Sequence, residues 1–157
     1  MTQKGKKKFL AILFTPILFI LSFIFSDVFF DYVLSGLPDV KVFTTNILGS
    51  PRSAFVFASA VGVLPILMFV SDLGVNYQKT WKFLSTLFFT LFMGWLFVYL
   101  RLIYIDSVLE STQIAPNIQN SIAFDSIQAE YYLGFGFLFG MLTSTLFFMF
   151  FGKSEEA

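Results

Sequence analysis

The chain has 157 residues, of which 57% are apolar, 20% aromatic and only 13% charged, with a formal net charge of zero. That length holds one domain, and the mix lies far from that of a soluble globule. Cysteine and histidine are both absent, which excludes disulfides, a thiolate nucleophile, Cys-type zinc and iron–sulfur sites, and the commonest haem ligand and neutral-pH proton carrier.

Four stretches, 9–26, 54–71, 83–100 and 131–152, contain no Asp, Glu, Lys, Arg or His. A bilayer core needs roughly 17–25 apolar helical residues to cross it, and each stretch meets that length. None offers a polar face, and helices apolar all round belong in a core or in lipid. The expected fold class is therefore an all-α integral membrane protein, a four-transmembrane-helix bundle. Its helices are expected at about 9–34, 53–71, 80–109 and 129–152. Outer loops at about 35–52 and 110–128 and an inner loop at about 72–79 join them.

Helix one follows Lys4, Lys6, Lys7 and Lys8 and carries Pro16. The basic start resembles a secretory signal peptide, but Ser26-Asp27-Val28 after Phe25 is no cleavage site, so the helix is expected to be retained. Its prolongation brings Asp27 and Asp31, four apart, onto one face. The first outer loop holds the turn formers Ser35-Gly36-Leu37-Pro38 and Gly49-Ser50-Pro51. Helix two carries Pro65 and a stripe of small residues, Ala54, Ala58 and Gly62. A proline removes a backbone hydrogen bond, so Pro16 and Pro65 are expected to kink their helices.

Helix three has a third stripe, Thr86, Thr90 and Gly94, and runs on past Leu100 with Leu102, Ile105 and Leu109 at helical spacing. Arg101 and Asp106 lie on this extension, where Arg101 is expected to bridge to an acid of helix one. Ala115-Pro116-Asn117 marks a turn in the second outer loop. Residues 118–127 are expected to lie along the membrane interface. Helix four carries Gly136, Gly140 and Ser144, which includes a strict GxxxG. In lipid, small residues let helices approach closely, so the stripes on helices two and four are expected to serve packing inside the bundle.

With the N-terminus inside, the inner surface collects Lys4, Lys6, Lys7, Lys8, Lys79, Lys82 and Lys153, leaving Lys41, Arg52 and Arg101 outside. The positive-inside rule then places both termini in the cytoplasm. Most acids fall outside: Asp27, Asp31, Asp39, Asp106, Glu110, Asp125 and Glu130. Tyr32, Tyr99, Tyr104, Tyr131 and Tyr132 at the outer boundary, with Tyr77 and Trp81 at the inner one, form interfacial belts.

The halves of the chain echo one another. Lys8-Phe9-Leu10 recurs as Lys82-Phe83-Leu84, Asp31-Tyr32-Val33-Leu34 as Asp106-Ser107-Val108-Leu109, and Asn46-Ile47 as Asn117-Ile118. Two tandem helical hairpins related by an axis along the membrane normal would produce this pattern; chance matching in an apolar chain is the competing reading.

Paired acids at a hydrated helix end lack the burial that tunes a carboxylate for catalysis. No enzymatic activity, cofactor or metal is therefore expected. The leading expectation is a non-enzymatic membrane protein of the bacterial inner membrane: a subunit, assembly factor or inhibitor acting on a membrane partner, or as a homo-oligomer, through helix packing and its acidic outer loops. Nothing in the pattern suits nucleic acid. The layout resembles that of immunity proteins against pore-forming colicins, which also use four helices with cytoplasmic termini. The resemblance is one of architecture and carries no residues across. One alternative is a transporter for a neutral or apolar substrate, lined by Thr15, Ser22, Ser59, Ser85, Thr90, Thr143 and Thr145. The other is an enzyme with its site around Asp27, Asp31, Arg101 and Asp106.

Overall fold

A computed structural model of the chain describes residues 3–37, 41–43, 51–75, 80–111 and 121–151. In order, the elements are α1 (Gln3–Ile24), α2 (Ser26–Ser35), β1 (Lys41–Phe43), α3 (Pro51–Gly62), α4 (Leu64–Val75), α5 (Thr80–Ser111), β2 (Ser121–Ala123), α6 (Phe124–Ile127) and α7 (Ala129–Phe151). Four helical stretches are long and apolar enough to cross a membrane: Gly5–Ile24, Pro51–Val75, Trp81–Leu109 and Phe124–Phe151. Their outward faces expose large apolar side chains, with Phe88 at 72% and Phe150 at 76%. Contiguous apolar surface of that kind belongs in lipid or against a partner.

A single residue interrupts the second span, and another parts the first span from the helix that prolongs it. Val63 separates α3 from α4, yet its N–H still reaches Ser59 O (3.1 Å) and its carbonyl accepts from Leu67 N (3.0 Å). Pro65 follows at once, and lacks the N–H that would close the next turn. Pro16, by contrast, sits inside an unbroken α1. The break after the first span falls at Phe25, where Ser26 Oγ donates back to Phe23 O at 2.9 Å. A serine that back-bonds in this way competes with the helix ladder and bends it. α1 is thus continuous through Pro16, and the interruption comes at Phe25, just before Ser26.

α5 and α7 pack together more extensively than any other pair, α1 lies along α3 and α4, and α7 also touches α3 and α4. The second and fourth spans therefore form the centre, with the first and third outside them. The apolar core gathers at the end of the bundle away from the termini: Val33, Leu37, Val98, Leu102, Ile105, Ile127 and Ala129, with Leu64, Leu133 and Phe137 beneath them. We call this the cap end. The opposite, terminal end is joined by polar contacts instead. Ser71 and Thr145 hydroxyls lie 2.6 Å apart, and Ser144 Oγ donates to Thr86 Oγ1 at 3.0 Å.

Over the cap end, β1 and β2 pair in parallel, with Lys41 opposite Ser121, Val42 opposite Ile122 and Phe43 opposite Ala123. Both loops were expected to be irregular or interfacial. Within 118–127 the structure has a strand and a one-turn helix instead, and residues 118–120 lie outside the described residues. Gln128 follows with φ 56°, a left-handed conformation that turns the chain into α7.

Candidate functional site

The small-residue stripes have definite partners. A Cβ on Gly136 would lie 2.5 Å from Met93 O and 2.6 Å from Gly94 Cα, and one on Gly140 would lie 2.9 Å from Thr90 Cα. With the Ser144–Thr86 hydrogen bond, these contacts seat the α7 stripe on the Thr86, Thr90, Gly94 stripe of α5. In the second span, a Cβ on Gly62 would meet Phe19 of α1 at 2.9 Å; Ala58 is fully buried and Ala54 half-buried. Helices two and four thus turn their stripes toward α1 and α5, and not toward each other.

At the cap end, Asp27, Asp31 and Asp106 are all exposed. The bridge expected between Arg101 and an acid does not form among the described residues. Arg101 Nε donates to Ile127 O at 3.0 Å, and Nη2 to Ser126 O at 2.8 Å. Its guanidinium carbon stands 5.0 Å from the centre of the Tyr132 ring and 5.6 Å from that of Tyr104. Carbonyls at a chain turn and aromatic faces suit a planar, weakly hydrated cation better than a solvated carboxylate does. The residue fastens the α6 turn to α5.

Glu130 behaves differently. One of the acids expected on the outer side, it is only 5% exposed. Among the described residues its carboxylate has no hydrogen-bond or salt-bridge partner. It opens on a groove of about 310 Å³ between the second and fourth spans, walled by Val56, Ser59, Ala60, Val63 and Leu67 and by Tyr131, Gly134, Phe135 and Leu138. A Cβ on Gly134 would stand 3.5 Å from Ala60 Cβ, so the groove floor is made of small residues. Glu130 lies in the first turn of α7, where the helix dipole favours an acid by about 0.3–1 kcal/mol. Burying an unpaired charge costs several kcal/mol. Among the described residues no sealed side-chain oxygen lacks a partner, so the Glu130 oxygens are open to the groove, where an incoming donor could reach them. The signal available in the sequence was its place as the last charge before the fourth span.

At the terminal end, Lys7 Nζ contacts both carboxylate oxygens of Asp72, at 3.0 and 2.9 Å. Lys7 opens the first span and Asp72 closes the second. Consecutive antiparallel helices bring those positions level, a relation the sequence held and the charge tally passed over. The pair stands at one end of a cleft of about 610 Å³ between α1 and α5, backed by α4. Of the hydroxyls named as a transport lining, Thr15, Ser59, Thr90, Thr143 and Thr145 each donate to a carbonyl of their own helix, at 2.6–2.9 Å. Among the described residues no group of three or more acids, His or Cys comes together.

Fold and sites define a class, a helical bundle with four stretches suited to crossing a bilayer and with apolar recesses on two sides. No family model, curated protein or solved structure matches the chain.

Proposed function

We propose that this protein is a non-enzymatic subunit, assembly factor or inhibitor in a bacterial cytoplasmic membrane, with both termini in the cytoplasm and its four helices arranged as two tandem hairpins. It works by docking a transmembrane helix of a partner protein into the groove between its second and fourth spans. The partner helix brings a Lys or Arg to Glu130, and the acidic cap surface around Asp27, Asp31 and Asp106 contacts the same partner outside the membrane.

The observation that carries this reading is the place of Glu130, only 5% exposed, on the wall of an otherwise apolar groove. Acids are almost never buried without a partner, and intramembrane ionisable groups mark sites of function. The floor of Ala60 and Gly134 admits a second helix closely, as small residues do in lipid. Back-bonded hydroxyls give little support to a polar transport path.

Photo-crosslinking side chains at Val63 and Phe135, on the groove rim, test this in cells. They are expected to join one membrane protein, while a crosslinker at Phe147, exposed far down α7, does not. Glu130→Leu is expected to abolish that crosslink while leaving thermal stability of the isolated protein in detergent equal or higher, because an unpaired buried charge is replaced by an apolar group. A stability loss of several degrees with the crosslink retained would assign Glu130 a purely structural role and overturn the reading.

A further inference from the structure

We propose that the cleft between α1 and α5 is a binding site for one anionic glycerophospholipid, its acyl chain lying along the cleft and its phosphate among Lys6, Lys7 and Lys8. This inference is independent of the partner groove, which faces another side of the bundle.

α1 rests on α3 and α4 and hardly touches α5. The first and third spans meet at the cap end, where Trp95 Nε1 donates to Tyr32 Oη at 3.0 Å. Below that point they part. Leu10, Phe14 and Leu18 of α1 face Phe83, Leu87 and Leu91 of α5 across a space of about 610 Å³, within the range of ligand pockets. Among the described residues, the ionisable groups on its wall are Lys7 and Asp72, both at the terminal end. A long apolar slot with charge at one end has the polarity of a phospholipid.

Charge selects the headgroup. Lys7 is paired with Asp72 on the cleft wall, while Lys6 and Lys8, exposed on the helix faces to either side of it, leave a net positive charge at the mouth of the cleft. An anionic phosphate is favoured there over a zwitterionic head. Leu10, Phe14, Phe83 and Leu91 on its walls are exposed to the surroundings, so the slot fills from the bilayer itself.

The test is native mass spectrometry of the full chain in mild detergent, titrated with dioleoyl phosphatidylglycerol or dioleoyl phosphatidylcholine. One phosphatidylglycerol is expected to be retained in preference. Lys7→Gln is expected to lower that preference about fivefold, the effect of one basic residue at an anionic lipid, and Lys7→Arg to keep it. Leu87→Trp, which fills the slot, is expected to lower retention of both lipids. Equal retention of the two by the unaltered protein overturns the proposal. A second measurement needs no variant: phosphatidylglycerol with a photoactivatable tail is expected to label Phe14, Leu18 and Leu87. Labelling spread evenly to Phe147 and Phe150 overturns it as well.

Discussion

Arg101 and Glu130 sit at the same end of the bundle, and their fates differ for a physical reason. Arg101 offers a fork of donors, and the α6 turn presents carbonyls at the right height. Glu130 can only accept, and it lies on the wall of the groove between the second and fourth spans. The sequence showed both as rim charges because it placed them beside the charge-free spans. It could not show that left-handed Gln128 turns the chain so that Glu130 enters the bundle. Each hydrogen bond from a charged group contributes about 1.5–3 kcal/mol where buried, and Arg101 is half-exposed. Arg101→Met is therefore expected to destabilise the protein by about 1–3 kcal/mol, and Arg101→Lys by less, measured by thermal unfolding in detergent. A neutral Arg101→Met would show that the two carbonyls find water instead.

At the scale of elements, four long apolar helices were legible, but the breaks at Phe25 and Val63 and the helices' partners were not. A stripe such as Gly136, Gly140 and Ser144 announces close packing, but says nothing of which helix faces it. Selection of α5 follows from two complementary stripes meeting at the same levels, Gly94 to Gly136, Thr90 to Gly140 and Thr86 to Ser144. Gly136→Ala puts a methyl against backbone atoms that cannot swing aside, and overpacking of this kind costs about 1–3 kcal/mol. Gly74→Ala makes ordinary contacts at 3.7 and 3.8 Å with Thr145 and Met149, and gains up to about 1 kcal/mol in helix propensity. Thermal unfolding of the two variants is expected to move in opposite directions. A tolerated Gly136→Ala would mean that α5 and α7 slide apart freely.

For the molecule as a whole, the absence of charge from the spans was the legible part, since the bilayer thickness sets their length. The cap was not legible: three-residue strands carry too little pattern to stand out from a loop, and their pairing joins distant parts of the chain. The lack of native cysteine makes orientation simple to measure. Lys8→Cys and Ser111→Cys place single thiols at exposed positions on the two ends. A membrane-impermeant maleimide added to intact cells is expected to label Ser111→Cys at once and Lys8→Cys only after permeabilisation. The reverse pattern would invert the proposed topology.

The pairing of β1 with β2 also sets an order of events during synthesis. In the proposed topology, Val42 would reach the far side of the membrane soon after the first span, while Ile122, its partner, would arrive only when the third span is across. At about 5–20 residues per second, the roughly 80 intervening residues take on the order of 4–16 s to make. Through that interval the β1 backbone has no ladder to join. Closure of the cap is thus a record that three crossings have succeeded, and a chain stalled or inverted before α5 carries an unpaired strand on its surface, a mark by which a misassembled copy differs from a finished one.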